Sequence, residues 1–463
     1  MKLQLLLLLC LFFLSCNEQK SGADKEVPTS TYSVPVEYFK LDNGLKVILS
    51  KDDTAPTAIV AVYYNIGFRI EPKDRTGFAH LFEHMMFQGS ENLGKMEFIN
   101  LVQKNGGILN GSTRFDFTNY FEIVPAHKLE TMLWAEADRM RGLDITQENL
   151  TNQQGVVKNE VKVNVLNQPY GGFPWLDMPQ YANENWYNAH NFYGDLEDLD
   201  SANLQDVADF FKTYYAPNNA ALAVVGDFST QEVKDWIQKY FGDIPSAELP
   251  AMPDITEPEQ TKEKFFIKDD SLANKPALAV AYKMPERNTP EYYAMGLLDQ
   301  ILVQGDNSLL RQKLVNENGF TSHVSGGINY LGNMFNYKGP MLWMFNLTYD
   351  NNTSKDQVMT AVDSVITNLK SQVTKESVAG ALVKMRSSLY DELGGSFGLG
   401  RADLLCSFAL FDDDPARINT LEEEFKKVTP ELMHATIDAY LRPTNRTVLV
   451  VNPLLDNSKT SQR

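Results

Sequence analysis

Three stretches of this chain occur twice, in the same order, and this duplication constrains the fold more than any other feature. Residues 80–89 match 296–305, residues 146–160 match 374–388, and residues 214–227 match 440–453. In the last pair Pro217 falls on Pro443 and Asn219 on Asn445, just before an apolar run. One such match alone would be weak, but three in one order indicate that a whole unit was copied. We therefore expect two duplicated domains.

Each copy combines strand and helix patterns. Residues 36–50 alternate around Asp42-Asn43-Gly44, which is a signal for a tight hairpin, and residues 57–67 form an apolar run that predicts a buried strand. Residues 76–88 are apolar on all sides, which predicts a buried helix with Thr76 as its N-cap. The expected fold class is α+β, with each domain a mostly antiparallel sheet packed against helices.

The clearest boundary in the chain lies near its middle. Residues 244–263 are rich in proline and acidic residues and have no apolar period, which is typical of a linker. They separate two predicted domains of similar size, residues 35–243 and residues 264–455. Residues 17–34 are predicted to be a flexible tether, and residues 456–463 a polar tail.

The first sixteen residues predict export from the cytoplasm. One lysine is followed by an apolar run that is too short for a spanning helix and suits a signal peptide. The run ends in FLSC, which resembles a bacterial lipoprotein processing site with Cys16 as the lipidated residue, although Phe13 stands where leucine is usual. The alternative is plain secretion with cleavage nearby. We expect a lipid-anchored protein that faces the periplasm, and Asn17 after the cysteine favours the outer membrane.

The overall charge limits the choice of partners. The chain has a formal net charge of −18, whereas nucleic-acid binding needs a basic surface. We therefore expect no nucleic-acid partner. A hydrophobic content of 43% over 463 residues is ample for sizeable cores.

Residues 80–84, HLFEH, carry the strongest chemical signal. On a helix His80 and His84 are one turn apart on the same face, so two imidazoles can bind one metal ion. A catalytic zinc site needs a third protein ligand, and it needs a carboxylate off the metal that takes a proton from water. Glu83 lies next to the two histidines and suits that second role. The alternative is a pair of core histidines with satisfied hydrogen bonds.

HLFEH resembles the inverted HxxEH motif of the pitrilysin/insulinase family of zinc metallopeptidases, which includes mitochondrial processing peptidase. The resemblance covers about residues 35–455. The family has a further glutamate downstream in a run like GVV-x-x-E, and GVVKNE supplies Glu160 here. GGILNGST is similar to the family segment that lies beside the substrate, with Asn110 as its asparagine and Gly111 in place of the usual alanine.

The resemblance implies a role for each of these residues. His80, His84 and Glu160 would bind Zn²⁺, Glu83 would be the general base, and Asn110 would lie at the substrate. The family also tends to place a glutamate seven residues before the third ligand, and Gln153 stands there in this chain. A glutamine can accept a hydrogen bond from a ligand imidazole but supplies no charge, so we expect altered zinc affinity or pH dependence.

The second copy has lost this chemistry. The positions aligned with the two histidines and the two glutamates are all changed, while the apolar frame is kept; they are Gly296, Asp299, Gln300 and Ser388. This is expected of a domain that keeps the fold and holds no metal. The family is built from one active and one silent domain of this kind.

The silent domain of the family supplies an arginine and, seven residues later, a tyrosine, which contact the substrate backbone and the developing oxyanion. The matching positions here are Val315 and Ser322, and Arg311 and His323 lie nearby at the wrong spacing. We favour a heterodimer in which a related subunit without HxxEH supplies the arginine and the tyrosine. The alternative is a homodimer with weak or unusual activity.

The resemblance thus implies a zinc-dependent metalloendopeptidase that cuts short or unfolded peptides inside a closed dimeric chamber. Its substrate would be held as an added strand near Asn110. The alternative is a non-catalytic or weakly active structural subunit of a peptidase-like complex.

Overall fold

The computed structural model describes residues 33–395 and 398–454. The predicted signal peptide with Cys16, almost all of the tether and the polar tail lie outside these residues. Within the described ranges, no helix is both long enough and apolar enough to cross a bilayer. We refer to residues 35–243 as the first half and to residues 264–454 as the second half.

A mixed sheet of six strands organises the first half. Its strands are β1 (Glu37–Lys40), β2 (Lys46–Lys51), β3 (Thr57–Tyr64), β4 (Ile108–Thr113), β5 (Thr118–Pro125) and β6 (Ala220–Gly226). They lie in the order β1-β2-β6-β3-β5-β4, and only β2 and β6 run parallel. Lys40 pairs with Lys46, which confirms the hairpin. Gly44 has φ +89° in its turn, where an added Cβ would lie 2.7 Å from Cβ of Asn218.

The second sheet repeats this topology without the first strand. Its strands are β7 (Lys264–Asp270), β8 (Ala277–Lys283), β9 (Ser325–Ile328), β10 (Leu342–Thr348) and β11 (Arg446–Pro453). Their order is β7-β11-β8-β10-β9, again with one parallel pair, β7 and β11. The matched asparagines even make the same bond: Asn219 donates to Tyr214 O at 2.8 Å, and Asn445 to Tyr440 O at 2.7 Å. The predicted duplication and the α+β class are confirmed.

Helices cover both sheets. The α-helices of the described residues are α1 (Phe78–Met85), α2 (Glu97–Lys104), α3 (Leu129–Arg141), α4 (Gln147–Val161), α5 (Asp177–Ala182), α6 (Trp186–Ala189), α7 (Leu196–Ser201), α8 (Leu204–Tyr214), α9 (Thr230–Phe241), α10 (Pro290–Leu302), α11 (Leu309–Arg311), α12 (Lys355–Gln372), α13 (Lys375–Gly394), α14 (Leu399–Asp412), α15 (Leu421–Lys426) and α16 (Pro430–Tyr440). Two of them continue into π-helical turns, Lys162–Leu166 after α4 and Gln312–Glu317 after α11. Short 3-10 turns occupy Phe68–Ile70, Ala126–Lys128, Pro217–Asn219, Pro415–Asn419 and Pro443–Asn445.

One helix of each half packs against the sheet of the other half. From the first half, α5 packs Met178 and Ala182 against apolar residues of the second sheet. From the second half, α14 packs on β2, β3 and β6, and its buried Cys406 lies 3.9 Å from Ala61 O and Ala221 O. This exchange explains why α14 is apolar on nearly every side. The two halves therefore share buried surface rather than touching at their rims.

The predicted linker has neither helix nor strand from residue 245 to residue 263. It is nevertheless fixed to both halves, because Glu257 accepts a hydrogen bond from Asn188 at 2.7 Å and pairs with Lys283 at 3.0 Å. The acidic residues of the linker thus act as tethering points, while its prolines keep the backbone extended.

Candidate active site

Helix α1 carries the HLFEH motif in the interior of the first half. Its residues Phe78, Leu81 and Phe82 are fully buried. The helix begins at Phe78 with Gly77 as its N-cap, so the prediction of Thr76 as N-cap is wrong. The carboxylate of Glu71 accepts hydrogen bonds from the first backbone N–H groups, Gly77 N at 2.9 Å and Ala79 N at 2.6 Å. Glu71 thereby caps the N-terminus of the helix from outside it and fixes the position of the HLFEH motif.

Helix α4 packs against α1 and brings Glu160 to the two histidines. His80 Nε2 lies 3.3 Å from His84 Nε2 and 3.6 Å from Glu160 Oε1, and His84 Nε2 lies 3.3 Å from Glu160 Oε2. Zinc bonds of about 2.0–2.2 Å in a tetrahedral arrangement separate neighbouring donor atoms by about 3.3–3.6 Å. The three donors therefore have the spacing of a zinc site. Among the described residues, no other group of three histidine, cysteine or acidic side chains converges in this way.

The protonation states also suit a metal. Burial and the neighbouring His84 lower the pKa of His80 to about 4, so its imidazole is neutral at physiological pH. The hydrogen bond with His84 lowers the pKa of Glu160, which keeps this carboxylate charged. Neutral imidazole and ionised carboxylate are the forms that bind a metal ion. His84 and Glu160 have partly exposed side chains, 21% and 31%, so the site is open on one side.

Glu83 is on the same turn but does not belong to this triangle of donors. Its Oε2 accepts a hydrogen bond from Thr113 Oγ1 at 2.7 Å, and burial raises its pKa. Gly111 lies against it, since an added Cβ would be 3.3 Å from Glu83 Cγ. The glycine that replaces the usual alanine therefore gives Glu83 room. A carboxylate beside the donors, held by one hydroxyl and with a raised pKa, is placed to accept and release a proton.

Strand β4 presents an unpaired edge next to Glu83. It is the last strand of the first sheet, and Arg114 N donates to Phe117 O at 2.8 Å where β4 turns into β5. Backbone bonding alternates along an antiparallel pair, so Ser112 and Asn110 bond toward β5 while Gly111 faces the open edge. Consistent with this, the Gly111 N–H donates to the Asn110 side chain at 3.0 Å. The edge is a template for an added strand.

The glutamine predicted beside the ligands occupies the expected helix but has a different partner. Gln153 is 5% exposed on α4, and its amide donates to Asn152 Oδ1 at 2.7 Å. His80 Nδ1 is buried, and no described residue offers it a hydrogen bond. The role of Gln153 as the partner of a ligand imidazole stays a prediction. The nitrogen that needs such a partner is His80 Nδ1.

In the second half the corresponding positions have structural roles. A side chain at Gly296 would crowd Met334, because an added Cβ would lie 2.8 Å from Cε of that residue. Asp299 is buried and accepts hydrogen bonds from Trp343 Nε1 at 2.8 Å and Gln304 Nε2 at 3.0 Å. Among the described residues of this half, none converge into a three-donor cluster.

The two positions of the second half where the family resemblance implies an arginine and a tyrosine hold other residues, as the sequence indicates. Val315 lies in the π-helical turn after α11, and Ser322 is exposed in the loop that follows. The nearby Arg311 pairs with Asp306 at 3.3 Å. His323 is exposed, and its backbone N–H bonds to Thr321.

Four residues near the site were not singled out from the sequence. Glu71 caps α1, Thr113 holds Glu83, and Tyr193 packs its ring edge-on to His80 at 5.2 Å between centroids. Arg114 follows Thr113 and lines a cavity beside β4. Thr113 had a signal, because it is the threonine of the GGILNGST segment. The others did not, since each reaches the site from a turn or loop.

Two family models match the chain. "Insulinase (Peptidase family M16)" matches residues 46–185, and "Peptidase M16 inactive domain" matches residues 201–384. The chain is also similar to zinc protease PqqE of Helicobacter pylori, with 24% identity over 423 residues that cover 90% of this chain and 93% of that protein. Mitochondrial-processing peptidase subunit beta of Bos taurus is 24% identical over 430 residues, which cover 89% of this chain and 84% of that protein.

A solved structure shares the fold. The crystal structure of a protease from Helicobacter pylori superposes with a TM-score of 0.82 at 24% identity, covering 91% of this chain and all of that chain (100%). The matched relatives are named proteases or peptidases, and the second family model begins within the first half and extends through most of the second sheet. The chain belongs to the insulinase family of peptidases, peptidase family M16.

Proposed function

We propose that this chain is a zinc-dependent metalloendopeptidase that hydrolyses short or unfolded peptides. The observation that carries the proposal is the convergence of His80, His84 and Glu160, whose donor atoms all lie within 4.8 Å of one another. Their spacing and protonation suit zinc, and relatives of the chain are named zinc proteases. Under this proposal residues 35–243 are the zinc-bearing catalytic domain, and residues 264–455 are a metal-free domain of the same fold.

The side chains around the site divide the work between them. His80, His84 and Glu160 would hold the ion, which when bound supplies the Lewis acid that activates water and polarises the scissile carbonyl. Glu83 takes a proton from the attacking water and delivers it to the leaving amine. Thr113 keeps that carboxylate turned toward the site through its 2.7 Å hydrogen bond. Glu71 holds the helix that carries His80, Glu83 and His84.

Substrate would bind as an extra strand along β4. The open edge at Gly111 lies beside Glu83, so a peptide paired there has its backbone next to the general base. Asn110 is exposed at this edge, and its side-chain oxygen accepts from the Gly111 N–H, a donor that an incoming carbonyl could take over. Selection by backbone pairing suits unfolded chains, because a folded protein has few free strands to offer.

A partner subunit is part of the proposal. Val315 and Ser322 leave the second half without the arginine and tyrosine that the family resemblance implies, so a related subunit without HxxEH would supply them in a heterodimer with a closed chamber. A homodimer with weak or unusual activity is the alternative. We also propose that the chain is exported, anchored through Cys16 and exposed to the periplasm, most simply at the outer membrane.

The test is hydrolysis of a quenched-fluorescent peptide mixture by the purified chain with zinc, after chelation, and after zinc is restored. Cleavage should follow the zinc content. Glu83→Gln should keep the zinc and lose about 10²–10⁴-fold in rate, because it removes only the proton acceptor. Glu148→Gln, an exposed glutamate on α4, is the matched control and should change neither.

The same assay separates the alternatives. Zinc-dependent cleavage by the lone chain would exclude an obligatory partner for the arginine and the tyrosine. Bound zinc without cleavage, restored by adding a related subunit that lacks HxxEH, would establish the heterodimer. A structural subunit predicts that Glu83→Gln and the unchanged chain behave alike in every preparation, which would refute the enzyme proposal.

A further inference from the structure

A cavity of about 760 Å³ lies between the two halves, beside β4. Its first-half wall includes the β4 residues Asn110 and Ser112 and, where the strand ends, Arg114. Its second-half wall includes carboxylates from α13 and α14, which are Asp391, Glu392 and Asp403. The proposed peptidase function uses Asn110 from this set and leaves the charged groups without a role.

The alternation of side chains along β4 explains which groups face the cavity. Thr113 points its hydroxyl at Glu83, and a Cβ on Gly111 would also point there. Side chains two residues apart share a face, so Asn110, Ser112 and Arg114 project to the opposite face of the sheet. A peptide paired along the edge obeys the same rule. Every second side chain of the peptide would enter the cavity.

The Arg114 side chain in the first-half wall has no hydrogen-bond or ion-pair partner among the described residues. In residues 33–395 and 398–454, no carboxylate lies within 4.0 Å of its guanidinium, and no acceptor takes a hydrogen bond from it. Ser112, by contrast, bonds to Asn119. A half-buried arginine without an acceptor is unusual, because its five donors lose water on one side and gain nothing there. In a chain with 60 acidic and 42 basic residues, acceptors are not scarce.

The carboxylates across the cavity do not act as acceptors for the Arg114 guanidinium. Asp403 is already held by Tyr63 at 2.8 Å, by Asn336 at 3.2 Å and by Asn333 at 3.3 Å. Asp391 and Glu392 are exposed on α13. Burial raises the pKa of Glu83 and of Asp403, and the charge of Arg114 opposes that rise in both. Arg114 itself lines the cavity where β4 ends, next to the edge along which a peptide would pair.

We propose that Arg114 is a specificity-determining residue that binds a carboxylate of the peptide substrate, at a cavity-facing position on one side of the scissile bond. The carboxylate would come from an aspartate or glutamate side chain or from the C-terminus of the peptide. This inference rests on the proposed peptidase function, because the edge of β4 sets the position of the peptide. A guanidinium–carboxylate contact is charge-assisted and short-ranged, whereas repulsion from acids across a water-filled cavity is screened.

The test compares peptides that differ by one Glu/Gln exchange, scanned over four positions on each side of the cleaved bond, with free or amidated C-termini. The unchanged enzyme should prefer glutamate at positions of one parity by about tenfold in kcat/KM. Arg114→Gln should abolish that preference, Arg114→Lys should keep most of it, and Arg114→Glu should favour lysine there. Because the two peptides are compared within each variant, any common effect of Arg114 on Glu83 cancels. Lys95→Gln, an exposed cation outside the cavity, is the matched control.

Equilibrium binding keeps the inference separate from the peptidase proposal. The same peptides are titrated into Glu83→Gln enzyme with and without Arg114→Gln, so that no turnover is needed. Tighter binding of the acidic peptide that depends on Arg114 would support the inference even if no cleavage were found, in which case the peptidase proposal alone would fail. An amidation effect without a glutamate effect would assign the carboxylate to the C-terminus. Equal binding of acidic and neutral peptides, or a preference for lysine in the unchanged enzyme, would overturn the inference.

Discussion

Asp299 offers a quantitative test of the claim that the second copy keeps the fold without the chemistry. It stands where Glu83 stands in the first copy, but it faces Trp343 and Gln304 instead of a metal site. Burial raises its pKa from 3.8 to about 6, against the two hydrogen bonds. We predict that Asp299→Asn changes how the stability of the chain depends on pH and leaves peptide cleavage unchanged.

The raised pKa of Asp299 determines how the folding stability changes with pH. The folded chain binds the Asp299 proton more tightly than the unfolded chain, so the carboxyl weakens folding increasingly as the pH rises from about 4 to 6. A shift of about 2 units corresponds to about 3 kcal/mol above pH 7. Asparagine does not titrate, but Trp343 and Gln304 donate to different oxygens of Asp299, and asparagine has an oxygen at only one of these positions. The lost hydrogen bond costs about 1–3 kcal/mol at every pH. The variant should therefore be less stable than the parent at pH 4.5 and close to it at pH 8.

The assay is urea unfolding followed by circular dichroism between pH 4.5 and 8, with a chelator present so that zinc does not contribute. The free-energy difference between variant and parent should move by about 2 kcal/mol in favour of the variant across this range. Asp74→Asn is the control, because that side chain is 82% exposed and should give parallel curves. A constant difference for Asp299→Asn would refute the reasoning, since it would mean that the carboxyl titrates alike in both states.

Three further predictions concern the first half. Gln153→Glu should raise zinc affinity by about tenfold in a chelator competition, because a carboxylate on α4 would accept a charge-assisted hydrogen bond from His80 Nδ1, which has no partner among the described residues. Equal affinity would contradict this. Thr113→Val should lower kcat by about tenfold at unchanged zinc content, since it frees Glu83, and a loss of zinc would point to misfolding instead. Arg139→Ala should destabilise the chain by about 3–5 kcal/mol in urea unfolding, because the buried Arg139 forms ion pairs with two buried carboxylates, Glu122 and Glu136, which would lose their partner. A clearly smaller loss of stability would contradict this.

Local patterns predicted the local parts of the site. His80 and His84 share a helical face because their spacing matches one turn, and this spacing can be read directly from the sequence. The proximity of Glu160 to the histidines cannot be predicted from local patterns, since no local rule relates residues on two different helices. Its assignment rested on resemblance, and the packing of α4 against α1 is what brings its oxygens to 3.3 and 3.6 Å from the imidazoles. The N-cap was predicted wrongly for the same reason, because the capping group comes from Glu71 outside the helix.

The sequence by itself determined the duplication, the α+β class and the presence of the HxxEH residues in one copy only. These follow from periodicity and from aligned segments, which need no knowledge of distant contacts. Only the tertiary structure decided that α5 and α14 cross over to cover the opposite sheets and that β4 has its open edge beside Glu83. It also decided that the Arg114 side chain lines the cavity with no acceptor among the described residues. Those facts depend on which surfaces lose water together, and burial joins residues that are hundreds of positions apart in the chain.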